Sequence, residues 1–125
     1  MARILVAEDD PAVRAFVCRA LLQRGHEVTP VDDGLMAVEV MGTTTFDLLL
    51  TDIRMPGLDG ITLALKVAKD HPATAILMMT GYATEEQRAH NLDALIHKVV
   101  AKPFTLDEIC EAAEEALAAG GEARG

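Results

Sequence analysis

Short runs of apolar, β-prone residues alternate five times with longer stretches in which apolar residues recur every three or four positions. That alternation is the signature of βα units winding a parallel sheet. It predicts strands over Arg3 to Ala7, Glu27 to Val31, Phe46 to Thr51, Ala75 to Met79 and Ile96 to Ala101. Three of the five are nearly apolar throughout, as strands covered on both faces must be. Pro30 removes a ladder donor from the second, which assigns that strand to an edge of the sheet.

Between the strands, Asp10 and Pro11 form a helix start, and Val13, Phe16, Val17, Ala20 and Leu21 follow on one face until Gly25. A second helix is predicted from about Asp33 to Met41. A third opens near Asp59 with Ile61, Ala64, Leu65 and Ala68 on one side, and Pro72 lies just past its end. Capping-box patterns, Thr84 to Gln87 and Thr105 to Glu108, open a fourth and a fifth. The fifth carries Leu106, Ile109, Cys110, Ala113 and Leu117 along one face.

With 125 residues the chain has the length of one folded unit, expected over 1–119, with a frayed tail over 120–125. No apolar run approaches the roughly 18 residues of a membrane-spanning helix. The N-terminal residues have no secretory pattern, so a cytoplasmic protein with no membrane partner is expected. Two isolated cysteines, Cys18 and Cys110, make neither a disulfide framework nor a zinc site. The histidines His26, His71, His90 and His97 lack metal-ligand spacing, and none lies on a helical hairpin suited to a phosphodonor. A net charge of −9 argues against nucleic acid as a partner and favours proteins or cations.

In an open parallel sheet, functional groups gather beyond the carboxyl ends of the strands. Here the first strand ends in Glu8-Asp9, the third in Asp52, the fourth in Thr80 and the fifth in Lys102. Singly, each is an ordinary cap or turn residue. Together, in this order, they predict one pocket. Three carboxylates in one place raise each other's pKa unless a cation compensates, and Mg2+, which takes hard oxygen ligands and pairs with phosphate, is the natural occupant. Phosphoryl transfer to a carboxylate needs positioning and charge stabilisation more than covalent help. Asp52 is then the nucleophile. Lys102 supplies a compact positive charge and Thr80 a hydroxyl donor for the phosphoryl oxygens.

The segments Ile4 to Pro11, Asp52 to Gly60, Thr80-Gly81 and Lys102-Pro103-Phe104 closely resemble bacterial two-component response-regulator receiver domains, over residues 2 to about 119. The resemblance implies an α/β flavodoxin-like (βα)5 sandwich, a five-stranded parallel sheet of order 2-1-3-4-5, the order the family's chemotaxis members typify. It implies that Asp52 is the phosphorylated aspartate, Asp9 a direct Mg2+ ligand, Glu8 a ligand through water, and Arg54 the source of a coordinating backbone carbonyl. Asp10 matches a variable position and is left to capping. Thr80 and Lys102 resemble the switch hydroxyl and the family's lysine, and the Lys102-Pro103 bond is expected to be cis. The implied phosphodonor is a histidine kinase or a histidine phosphotransfer protein.

One position departs from the family. Receivers often place Tyr or Phe three residues before the lysine, where this chain has Val99. Tyr82, beside the pocket, is the alternative aromatic for signalling or for controlling water. The chain reads as a phosphoacceptor switch and not as an enzyme in the ordinary sense. A small Mg2+-dependent phosphohydrolase would want a second carboxylate two residues past the nucleophile, where Arg54 stands. A passive receiver-shaped module has no use for a full set of pocket residues. By resemblance the responsive face comprises the fourth helix, fifth strand and fifth helix, and the output is a protein contact with a downstream effector. Among single-domain receivers the chain is similar to motor regulators, phosphorelay intermediates and CpdR-type cell-cycle receivers, which act as phosphorylation-controlled adaptors for an energy-dependent protease. Thr80 to Ala83 and Val99 favour the last. Arg54 and Tyr82 flank the expected phosphoryl site and shield it, so an Arg54→Ala, Tyr82→Ala double variant is expected to lose its phosphoryl group faster than the wild type. Equal or slower hydrolysis, followed by phosphate release, contradicts that shielding.

Overall fold

The computed structural model describes residues 2–81 and 96–120. Five parallel strands, β1 (Arg3–Ala7), β2 (Glu27–Val31), β3 (Leu48–Asp52), β4 (Ala75–Thr80) and β5 (Val99–Ala101), form one sheet in the order β2-β1-β3-β4-β5. Four helices are described: α1 (Pro11–Gln23), α2 (Gly34–Met41), α3 (Gly60–Asp70) and α4 (Leu106–Ala119). α4 is the fifth helix expected from sequence. The fourth expected one, opening at Thr84, lies outside the described residues, as do Tyr82, His90 and most of the expected tail.

Alternation along each central strand divides the core in two, because successive strand side chains point to opposite faces. Leu5, Ala7, Leu49, Ile76 and Met78 meet α2 and α3 through Ala37, Met41, Leu63, Ala64 and Val67. Ile4, Val6, Leu48, Leu50, Leu77 and Met79 meet α1 and α4 through Val17, Ala20, Leu21, Ile109, Cys110, Ala113 and Ala116. The strands β3 and β4 are buried at every residue, as their apolar runs Leu48 to Leu50 and Ala75 to Met79 require. β2 borders only β1, so the missing N–H of Pro30 faces the open edge.

Two strands are shorter at their starts than the sequence suggested. Phe46 and Asp47 precede the β3 ladder: Asp47 is exposed and turns its carboxylate back to the Arg3 N–H at 2.8 Å, while the Phe46 carbonyl accepts from the Thr74 hydroxyl. Residues 96–98 run beside β4 and bond to it, His97 N–H to the Ile76 carbonyl and Met78 N–H to the Lys98 carbonyl, before the regular ladder begins at Val99. β3 and β4 each extend one residue further than predicted, to Asp52 and Thr80.

Three aspartates open helices at the carboxyl edge of the sheet. Asp10 accepts from the N–H groups of Ala12 and Val13, Asp33 from Met36, and Asp59 from Thr62. The Thr105–Glu108 capping box at α4 is complete. Cys110 is buried, Cys18 half-buried, and both are free thiols. Among the described residues no helix is long and apolar enough to cross a membrane.

The loop from Asp52 to α3 is pressed against the end of β3. Gly60 N–H donates to the Ile53 carbonyl at 2.7 Å, and a Cβ at Gly60 would overlap the Asp52 carbonyl oxygen. That contact is with backbone and cannot swing aside. Gly60→Ala is therefore expected to lower stability by about 1–3 kcal/mol in urea unfolding. Gly81→Ala, whose added methyl meets nothing within 4 Å, is expected to stay within about 0.5 kcal/mol. Equal losses in the two variants would contradict the tight seating of this loop.

Candidate functional site

The sheet delivers four strand ends to one place. Glu8 follows β1 and is fully buried, with its N–H still bonded to the Val31 carbonyl of β2 at 3.1 Å. Asp9 is next and exposed. Asp52 is the last residue of β3 and only 6% exposed. Carboxylate oxygens of Glu8, Asp9 and Asp52 all lie within 4.8 Å of one another. Lys102, just past β5, places its Nζ 2.8 Å from Glu8 Oε1 and 3.2 Å from Asp52 Oδ2. Thr80 is buried at the end of β4, and its carbonyl accepts from the Lys102 N–H at 2.7 Å. The Lys102–Pro103 bond is cis.

Both buried carboxylates have their oxygens engaged. Asp52 Oδ1 accepts from the Ile53 N–H at 2.9 Å while Oδ2 faces Lys102. Glu8 Oε2 accepts from the Asp10 N–H at 3.0 Å while Oε1 takes Lys102. Arg54 lies two residues past Asp52 and is exposed. Val99, where the family often has an aromatic, is half-buried against the α2–α3 side of the core and pairs with Met78. Tyr82 lies outside the described residues.

Burial dominates the electrostatics. Desolvation pushes the Glu8 carboxyl up to about 7, despite the Lys102 and Asp10 hydrogen bonds that favour its charged form, and the negative charge of Asp52 adds to the push. Asp52 is raised as well, by burial first, against the opposing pull of Lys102 and the Ile53 N–H. For Lys102 burial favours the neutral amine, but its bonds and charge interactions with Glu8 and Asp52 outweigh burial and hold the ammonium above its ordinary value. One lysine thus faces two desolvated acids with a third at the rim. The surplus is negative.

Such a cluster of hard oxygen donors, with Asp9 exposed, could hold a metal ion. Sequence reasoning expected five residues from four strand ends in one pocket; Glu8, Asp9, Asp52 and Lys102 meet there, and Thr80 is buried at the end of β4 with its carbonyl bonded to the Lys102 N–H. It did not foresee that Lys102 bonds Glu8 as well as Asp52. It also missed Arg14 on α1, whose Nη1 donates to the Glu8 carbonyl at 2.8 Å. The only sequence signal for Arg14 was a basic residue one turn into a helix that starts beside the acidic pair.

The profile of the response regulator receiver domain matches residues 4–114. The chain belongs to that family. Among receiver proteins it is 40% identical over 119 residues to the response regulator receiver protein CpdR of Brucella abortus, covering 95% of this chain and 99% of that protein. It is 36% identical over 107 residues to the transcriptional regulatory protein TcrA of Mycobacterium tuberculosis, covering 86% of this chain but only 42% of that longer protein. Among solved structures, the response regulator TrrA of Thermotoga maritima, in complex with Mg2+-BeF, superposes with a TM-score of 0.83 at 28% identity, covering 93% of this chain and 99% of that one. The chemotaxis response regulator CheY4 of Vibrio cholerae shares the fold, with a TM-score of 0.85 at 24% identity over 93% of this receiver and 98% of that chain.

The raised Glu8 carboxyl gives this receiver a pH-dependent stability. Glu8 is a weaker acid folded than unfolded, so the folded state holds the extra proton between about 4.5 and about 7. The stability tied to that proton is complete below about 4.5 and is lost as pH rises through about 7. The metal-free melting temperature is expected to fall as pH goes from about 6 to about 8, and to fall less in Glu8→Gln. Identical slopes in both proteins contradict a titrating Glu8.

Proposed function

We propose that this receiver is a phosphorylation-operated switch. Asp52 accepts a phosphoryl group from a phosphohistidine on a histidine kinase or histidine phosphotransfer protein, and the domain then makes or breaks a contact with a downstream protein. The observation that carries this reading is a buried aspartate at a strand end, flanked by a lysine and two further carboxylates. A buried acid so close to others costs stability, and a structural role alone does not call for it.

In the transfer, an Asp52 carboxylate oxygen attacks phosphorus and the P–N bond to the donor imidazole breaks. The imidazole nitrogen keeps the bonding pair and takes up a proton, and Asp52 becomes an acyl phosphate. Lys102, already at Asp52 Oδ2, exchanges part of its contact for a phosphoryl oxygen, and the Thr80 hydroxyl donates to another. Glu8, Asp9, Asp52 and the Arg54 backbone carbonyl would hold Mg2+, which when bound neutralises charge on the transferring group. The Mg2+-BeF complex of TrrA supports the choice of ion.

Phosphorylation adds about −1.5 to −2 charges at Asp52 and draws Thr80 and Lys102 inward, which alters the surface around β4 and β5. With Val99 in place of an aromatic, the readout passes through backbone and hydroxyl movement at Thr80, with Tyr82 as the neighbouring aromatic. The similarity to the receiver protein CpdR, which the match covers to 99%, supports reading the receiver domain itself as the signalling unit. A phosphorylation-controlled adaptor for an energy-dependent protease is the form that Thr80 to Ala83 and Val99 favour.

Incubation with Mg2+ and acetyl phosphate tests the reading. Intact-mass measurement is expected to show the gain of one phosphoryl group in the wild type, none in Asp52→Ala, and none when Mg2+ is chelated. No mass gain in the wild type contradicts the switch. Steady phosphate release without accumulation points instead to a hydrolase.

A further inference from the structure

The acidic pair has to be aimed as well as present. β1 ends at Ala7, and the peptide units of Glu8, Asp9 and Asp10 carry the chain out of the sheet into α1. Their orientation decides where the Glu8 and Asp9 side chains point. Glu8 is further held by Lys102 and the Asp10 N–H. Asp9 is exposed and keeps rotamer freedom, so its backbone sets only the region its carboxylate can reach.

Arg14 acts on that backbone. Its own N–H donates to the Asp10 carbonyl at 2.9 Å, which roots it in the first turn of α1. From there its half-buried side chain folds back over the helix start. Nη1 donates to the Glu8 carbonyl at 2.8 Å and approaches the Asp9 carbonyl at 3.5 Å, the second contact being the weaker. One charged donor thus ties down the Glu8 carbonyl and reaches toward the next, from a rigid element that carries none of the pocket's side chains.

We infer that Arg14 is a positioning residue for the divalent cation: it fixes the Glu8–Asp9 backbone so that both carboxylates turn toward Asp52. The inference rests on the Mg2+ reading of the pocket given above. It makes a prediction of opposite sign to simple electrostatics. A guanidinium beside a dication repels it, so if Arg14 were only a nearby charge, its removal would tighten Mg2+ binding. If it aims the ligands, removal loosens binding, as loss of an outer partner of a metal ligand does.

Mg2+ titrations of the metal-free protein, followed by backbone amide NMR shifts of residues 8–13, separate these roles, with the melting temperature of each metal-free variant measured alongside. Wild type is expected to saturate, and Arg14→Gln to bind on the order of tenfold more weakly. Arg14→Lys, which keeps the charge but loses the planar fork, is expected between the two. Affinity in Arg14→Gln equal to or tighter than wild type overturns the inference, as does a drop in melting temperature with no change in affinity. Should Arg14→Gln not fold, Arg14→Lys decides alone, since unchanged affinity there contradicts aiming by the fork. A wild type showing no Mg2+-dependent shifts removes the metal reading itself, and this role with it.

Discussion

Two ionised carboxylates are costly to take out of water side by side unless a cation sits between them, and this receiver is arranged around that constraint. Glu8 and Asp52 are both buried, and a single ammonium, Lys102, bridges them. Removing one partner of such a cluster leaves an uncompensated buried charge, an effect of about 3–5 kcal/mol in buried pairs generally. Here part of that cost is relieved by protonation, because burial holds the Glu8 carboxyl near neutrality. The site therefore rests between states. It is stable enough to fold around one lysine, yet keeps negative charge in surplus, which could hold a metal ion.

The rest of the fold serves to bring those groups together. Parallel strands put every carboxyl end on one edge, so residues distant in sequence become neighbours through register alone. Close packing then fixes the loops. Gly60 lets α3 begin directly against the Asp52 carbonyl, and Gly34 lets α2 begin against the Leu58 backbone. Aspartate caps hold α1, α2 and α3 at the same edge. Backbone rigidity at that edge lets so few side chains define the pocket.

Much of this is legible in the sequence alone. The strands followed from the apolar runs, because burial on both faces leaves a sequence pattern that survives without tertiary information, and Pro30 marked an edge; their order followed from the family resemblance. The helix starts at Asp10, Asp33, Asp59 and Thr105 were legible because capping is a local interaction. The convergence of Glu8, Asp9, Asp52 and Lys102 was legible because each sits at a strand end. The starts of β3 and β5 were not: Phe46 and Ile96 are as apolar as ladder residues, yet are buried outside the ladder. The Glu8–Lys102 bond and the Arg14 tether were also hidden, since side chains that meet only in the folded state leave no periodic trace.

The central claim is that the three carboxylates form a divalent-cation site aimed at Asp52. Anomalous scattering from crystals grown with Mn2+ in place of Mg2+ tests it most directly. The account predicts a peak bounded by Glu8, Asp9 and Asp52, on the Asp9 side of the Lys102 ammonium. A crystal with Mn2+ bound elsewhere and no density among those three carboxylates would contradict it.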